Sequence, residues 1–323
     1  MPKAVLVSRN GGPEVLEYAE VPDRSPGAGE LLVQVAAAGV NYIDTYQRSG
    51  QYPVPVPFVP GLEGAGTVRS VGAGVDGFAV GDRVAWTSVP GGYAEQVVVP
   101  AASAVPVPEG VDDETAAATL LQGLTAHYLA VSTYPVQQGD TVLVHAAAGG
   151  VGLILVQLAK ARGARVIGTV STAAKEELAR AAGADEVIRY TEEDFAARTR
   201  ELTGGEGVAA VYDGVGKTTF DGSLSVVRPR GYLVLFGASS GPVPPVDPQR
   251  LNQAGSIYLT RPSLAPYIAT PEELRWRTDE LFGAIATGAL KITIGGRYPL
   301  AEAQRAHEDL QGRRTTGKLL LLP

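Results

Sequence analysis

The sequence predicts an α/β chain in which a β-rich N-terminal part precedes a doubly wound, six-stranded parallel sheet. Three observations predict it. From Val142 to Leu259, short apolar runs alternate with helical stretches, the pattern of parallel strands covered by helices. At its start, the apolar, β-branched run Thr141–Val144 meets the small-residue turn Ala147–Gly152, an apolar helix and a second apolar run. Before about residue 120, short alternating runs are bounded by Gly, Pro and Asp.

The elements follow in order. Ala4–Val7, Leu31–Ala37, Gly66–Val71, Arg83–Trp86 and Gln96–Val99 read as strands, with turn clusters at Asn10–Pro13 and Ser25–Gly27. Pro53, Pro55, Pro57 and Pro60 deny a helix to their stretch and predict a rigid surface loop. Helical pattern begins at Asp112 and covers Ala116–Leu121 and Ala126–Ser132. The six sheet strands are Val142–His145, Arg165–Thr169, Glu186–Arg189, Val208–Asp213, Tyr232–Phe236 and Ser256–Leu259. Between them lie helices Val151–Arg162, Ala174–Ala182, Asp194–Leu202 and Thr219–Val227. After Pro271 come a helix (Glu272–Thr287), a strand near Ile292–Ile294, a helix opened by Leu300 and a last strand, Lys318–Leu322. That strand is apolar and is expected to return to the N-terminal sheet. The domains would then be 1–122 with 264–323, and 123–263, with a ligand cleft between them.

Composition narrows the function. The 323 residues suffice for two cores. With 27 basic against 34 acidic residues and no basic cluster longer than Arg313-Arg314, nucleic acid is an unsuitable partner. Absence of cysteine removes disulfides, thiolate metal sites and thiol nucleophiles. No charged-then-apolar leader and no apolar run of membrane-spanning length is present, so a cytoplasmic protein without a membrane partner is expected.

The turn at Ala147–Gly152 suits a dinucleotide. Small residues let the backbone approach a pyrophosphate, and Gly149, Gly150 and Val151 open a helix whose free N–H groups attract anions. Ala147 replaces the usual first glycine. An NAD site ends its second strand with an acid about 20 residues after the glycines. Here the strand ends Gly168-Thr169-Val170-Ser171-Thr172, and Lys175 follows. Hydroxyls and an ammonium would hold a 2′-phosphate, so the expected cofactor is NADPH. The three histidines offer little catalytic promise: His145 ends a strand, His127 lies in a helical stretch, and His307 in an amphipathic surface helix.

Gly11–Leu16, Gly39–Asp44, Arg48-Ser49-Gly50, Gly81–Val84 and Ala146–Gly152 together resemble the medium-chain dehydrogenase/reductase superfamily. Within it the chain resembles the zinc-free NADPH:quinone oxidoreductase, zeta-crystallin-like branch, over Lys3 to Leu322. That branch shows the same Ala-Ala-Gly-Gly-Val-Gly turn. The resemblance implies a GroES-like β-barrel domain, a Rossmann domain and a dimer. Where zinc relatives hold Cys and Gly-His-Glu, this chain has Asn41 and Gly61-Leu62-Glu63, so no metal is expected. It puts Asn41 and Thr125 beside the nicotinamide, and Tyr46 and Tyr52, in the facing loop, beside cofactor or substrate. Tyr190 and Arg313 should join Ser171 and Lys175 at the 2′-phosphate. Phe236, Gly237 and Ser239, then Arg261 and Ser263, should pass the nicotinamide ribose and carboxamide.

The reading is an NADPH-dependent quinone reductase, in which the cofactor carries the hydride and Asn41, Tyr46 and Tyr52 form the catalytic side. An enone or 2-alkenal reductase uses the same parts, and an NADPH-binding structural or regulatory protein is the non-enzymatic alternative. The sixth strand would be an apolar edge, which pairing with a second copy would cover in a homodimer.

Overall fold

The computed structural model describes residues 1–323. In chain order its elements begin with β1 (Lys3–Val7), β2 (Leu16–Glu20), β3 (Glu30–Val40) and α1 (Tyr42–Ser49). Then come β4 (Glu63–Val71), β5 (Arg83–Thr87), β6 (Gln96–Pro100), β7 (Ala104–Pro106) and α2 (Asp113–Tyr128). The central run is β8 (Thr141–Val144), α3 (Gly150–Ala161), β9 (Arg165–Val170), α4 (Ala173–Ala181), β10 (Glu186–Arg189), α5 (Phe195–Leu202) and β11 (Val208–Asp213). It continues with α6 (Phe220–Val226), β12 (Val227–Leu235), α7 (Gln249–Gln253) and β13 (Tyr258–Thr260). Last are α8 (Pro271–Ala286), β14 (Ile294–Pro299), α9 (Ala303–Gln311) and β15 (Lys318–Leu322). Two compact units result, Met1–Leu124 with Ile268–Pro323, and Thr125–Tyr267.

The first unit is built on a seven-stranded sheet in the order β14-β15-β3-β4-β5-β7, with β6 also on β3. β3 is long enough to divide one edge between two partners. Glu30–Gln34 pair with β6 and Ala38–Val40 with the last strand, β15, while β4 takes the other edge. Along β3, Leu31, Val33 and Val35 point inward at period two and meet Trp86, Tyr93 and Val97 in the core.

The second unit is an all-parallel sheet in the order β10-β9-β8-β11-β12-β13. Its central strands β8, β9 and β11 are buried on both faces, and all six residues of β11 are buried. The order reverses between β8 and β11, the switch point beside which such sheets bind ligands. β13 is an edge, and its Tyr258 is 56% exposed.

Several elements differ from expectation. Residues 42–49 form a helix where a loop is expected; its buried face is polar, Asp44, Thr45 and Arg48, so no apolar periodicity announces it. Ala116–Leu121 and Ala126–Ser132 belong to one helical stretch, since Gly123 does not break α2 but packs on Leu281. The strand expected near Ile292–Ile294 runs Ile294–Pro299, its signal diluted by Gly295 and Gly296. A Cβ on Gly295 would lie 1.7 Å from the Thr316 carbonyl oxygen, so β14 needs glycine there.

Candidate functional site

The turn between β8 and α3 is fixed by backbone bonds. His145 N–H donates to the Tyr212 carbonyl, Ala147 N–H to that of Thr169, and Gly149 N–H to that of Ala146. Ala146 sits in the left-handed region, at φ 51°. A Cβ on Gly152 would come within 2.2 Å of the Ala146 carbonyl oxygen, so only glycine lets α3 start this close to β8. Ala147 is tolerated because the neighbouring strand makes room. A Cβ on Gly168 would meet that of Ala147 at 2.8 Å. No side chain caps α3, so its first-turn N–H groups, from Gly150 and Val151 onward, suit an anion. This cradle fits a dinucleotide pyrophosphate.

Behind the turn, a buried polar network ties three strand ends together. Ser223 Oγ donates to Asp213 Oδ2 at 2.8 Å and therefore accepts from His145 Nε2 at 3.0 Å. Nδ1 of His145 then accepts from Thr169 Oγ1 at 2.9 Å. Burial holds the His145 pKa down against the pull of Asp213. His145 is thus a packed, satisfied residue, as its position predicts. The other oxygen of Asp213 takes N–H groups from Val215 and Gly216, and Thr219 donates to the carboxylate, which shapes the loop after β11. Alongside, Phe236 and Gly237 N–H groups reach the Asp213 carbonyl, and Ser239 N–H reaches that of Gly214. A Cβ on Gly237 would lie 2.4 Å from the Gly214 carbonyl oxygen.

Most of the other expected cofactor residues in this unit follow strand ends, with Lys175 and Thr125 on helices. Ser171 is half-buried after β9, and Lys175 is in the first turn of α4, its N–H on the Thr172 hydroxyl. Tyr190, 45% exposed, follows β10 and donates its N–H to Val170. Arg261 and Ser263 are exposed after β13, and Thr125 is buried in α2. Arg313 belongs to the first unit, exposed after α9.

In the first unit, Asn41 precedes α1, and its N–H donates to Asp44 Oδ2 at 2.8 Å. Tyr46 rides on α1, and Tyr52 follows with its ring centroid 5.3 Å from that of Tyr46. The Asn41 side chain is fully engaged. Its oxygen accepts from Lys318 Nζ (2.8 Å) and Gln122 Nε2 (3.1 Å), and its nitrogen donates to Glu63 Oε1 (2.6 Å). Glu63 also pairs with Lys318 and accepts the Leu121 N–H at 2.7 Å.

A second buried chain anchors α1. Tyr93 donates to Asp44 Oδ2 at 2.9 Å and lies 3.1 Å from His307 Nε2, whose Nδ1 faces Arg48 at 3.0 Å. His307, expected on a surface helix, occupies the buried face of α9. Burial pushes the Asp44 pKa up to about 7, against the bonds from Asn41 and Tyr93 and the attraction of Lys318. Burial and the Arg48 guanidinium bring that of His307 down to about 3.

Sequence reasoning missed Lys318, Gln122, Asp44 and Asp213. Lys318 opens the apolar run KLLLL and reads as a solvated strand end. Its partners are set by register, a signal available only once β15 is known to pair with β3.

Comparison with known proteins completes the description. Residues 27–109 match the alcohol dehydrogenase GroES-like domain family, and residues 150–272 the zinc-binding dehydrogenase family. A quinone oxidoreductase of Pseudomonas aeruginosa is 51% identical over 100% of both chains. The crystal structure of Escherichia coli quinone oxidoreductase complexed with NADPH superposes with a TM-score of 0.97 at 47% identity, covering 99% of this chain and 100% of that one. A 2-haloacrylate reductase of a Burkholderia species is 42% identical over 100% of this chain and 99% of its own. One family name implies zinc, but the donors here do not fit it. Glu63 faces an ammonium, cysteine is absent, and no three His, Asp or Glu side chains converge.

Proposed function

The chain belongs to the quinone oxidoreductase branch of the medium-chain dehydrogenase/reductase superfamily, and from that premise we propose that it is an NADPH-dependent quinone reductase. The observation that carries the reading is the uncapped glycine turn of α3 beside a strand end that has Ser171 and Lys175 but no acid. In this reading the pyrophosphate lies against Gly149, Gly150 and Val151 and takes the free N–H groups of Gly150 and Val151. Ser171, Lys175, Tyr190 and Arg313 hold the 2′-phosphate end. Phe236, Gly237, Ser239, Arg261 and Ser263 line the nicotinamide end, with Thr125.

When bound, NADPH supplies hydride from its nicotinamide C4. The chain supplies position, exclusion of water and hydrogen-bond donors for the charge that develops on the quinone oxygen. Tyr46 and Tyr52 are the donors assigned to that oxygen. Asn41, whose amide is taken up by Glu63, Lys318 and Gln122, acts by holding the start of α1. The cytoplasm, where NADPH is at hand, is the compartment this reading assigns. A homodimer joined through β13 would cover its edge and Tyr258. Light scattering at micromolar concentration should return twice the chain mass, and a monomer mass overturns the dimer.

Turnover of 1,4-benzoquinone with NADPH tests the activity. The 2-haloacrylate reductase relative favours a second reading, reduction of an activated C=C bond, and a short 2-alkenal that outpaces benzoquinone would establish it. Two sets of variants test the assignments. Lys175→Ala should weaken NADPH about tenfold and leave NADH unchanged, a loss of about 1.4 kcal/mol. An unchanged NADPH:NADH ratio removes Lys175 from the phosphate site. Tyr46→Phe and Tyr52→Phe should each lower kcat/KM for benzoquinone about tenfold, the scale of one lost donor to a developing charge. Full retention by both takes the hydroxyls out of the mechanism.

A further inference from the structure

The ion pair of Lys318 and Glu63 is completely enclosed, at 1% and 0% side-chain exposure, and Asn41 is 4% exposed. Strand register brings the three together. β15 pairs antiparallel with β3 through Leu319 opposite Val40, so the next pair outward is Lys318 with Asn41. β3 pairs with β4 through Ala38 opposite Gly64, so the next pair is Gly39 with Glu63. A Cβ on residue 39 would lie 2.4 Å from Glu63 Oε1, so the glycine there makes room for the carboxylate. The carboxylate is held by Lys318, the Asn41 amide and the Leu121 N–H.

Enclosing two charges is expensive, and a neutral pair of similar volume is often as stable or more so. Stability is therefore a poor reason for this arrangement. What the pair does provide is polarity. An asparagine amide has two ends of nearly equal shape, one an acceptor and one a donor, and its neighbours decide which way it points. Here a cation and the Gln122 amide hold the oxygen, and an anion holds the nitrogen. Reversal would set the Asn41 NH2 against an ammonium and its oxygen against a carboxylate. Asn41 in turn opens α1 through its N–H bond to Asp44, and α1 carries Tyr46 and leads into Tyr52, whose N–H bonds the Tyr46 carbonyl.

We propose that Lys318 is a positioning residue for quinone reduction: its ammonium is a built-in cation that fixes the orientation of the Asn41 amide and thereby the placement of Tyr46 and Tyr52. The inference rests on the quinone reductase reading. Lys318 does not touch the quinone. It acts through Asn41, and small misplacements of groups at a reacting centre cost large factors in rate.

The parent is assayed first with NADPH and 1,4-benzoquinone. Lack of turnover there overturns the quinone reading itself, before any variant is made. Two variants then test Lys318. Lys318→Ala should lose about tenfold or more in kcat for benzoquinone while its NADPH Kd stays within about twofold. Ethylammonium should restore kcat saturably, and tetramethylammonium, which has no N–H donors, should not. The double variant Lys318→Met/Glu63→Gln removes both charges together. The carboxamide that replaces the Glu63 carboxylate can accept from or donate to Asn41, so the asparagine loses its fixed sense. This variant should keep the parent Tm and still lose about tenfold in kcat/KM. Parental kcat/KM in the double variant overturns the proposal, as does Lys318→Ala with full activity. A double variant that does not fold overturns it too, because the pair is then a requirement of the fold.

Discussion

Gly152→Ala is expected to raise the Kd for NADPH at least about 100-fold, a loss of about 2.7 kcal/mol. The added methyl would sit 2.2 Å from the Ala146 carbonyl oxygen and 2.8 Å from the Ala147 Cα. Both are backbone atoms, so no side-chain rotation can relieve the contact. Ala146 is already in the left-handed region, and Ala147 is tied to Thr169, so the turn has little freedom to yield. The start of α3 must move away from β8 instead, and its N–H groups with it. Overpacking of this kind also costs about 1–3 kcal/mol of stability. Gly283→Ala in α8 is the internal control, since its methyl would meet nothing within 4 Å and the residue has no part in the cradle. Fluorescence titration with NADPH measures both variants, and equal affinities for the two would show that the Gly152 contact does not set the cradle.

The same turn shows what was legible in the sequence. Strand, turn and helix at Thr141–Ala161 lie next to one another in the chain, and their apolar runs and small residues announce them directly. Even the departure at Ala147 has a local cause, in Gly168 of the next strand. α1 was illegible for the opposite reason. Its buried face is made of Asp44, Thr45 and Arg48, which bond to polar neighbours instead of forming an apolar stripe. Lys318 and Glu63 stand 255 positions apart, and only the pairing of β15 with β3 brings them together. Buried polar clusters of this kind carry no periodic signal, because each member is chosen for one distant partner and not for a face. Thus the strand, turn and helix that shape the candidate cradle were readable, while the supports of Asn41 and α1 were not.

Those supports include two groups whose protonation opposes the usual trend, and their effects on stability should largely cancel. An unfolded chain releases the Asp44 proton near pH 4, whereas the folded protein keeps it to about 7. The folded state therefore binds the extra proton, and stability falls as pH rises from about 4 to 7. His307 works the other way. An unfolded histidine binds a proton below about 6.5, while the folded one stays neutral down to about 3. Stability from this group rises with pH between about 3 and 6.5. In the shared window each contributes about 1.4 kcal/mol per pH unit with opposite sign. His307→Gln, which can still accept from Arg48 and donate to Tyr93, should unmask the Asp44 term. Relative to the parent it should lose about 3 kcal/mol between pH 4 and 6.5. Asp44→Asn, which can still accept from Asn41 and Tyr93, should gain a similar amount over the same interval. Urea unfolding at half-unit pH steps measures all three proteins. Parallel curves would mean that neither group titrates differently in the fold. Mirror-image deviations would show that α1 is held by two offsetting proton equilibria, with the Tyr93 hydroxyl as the bridge between them.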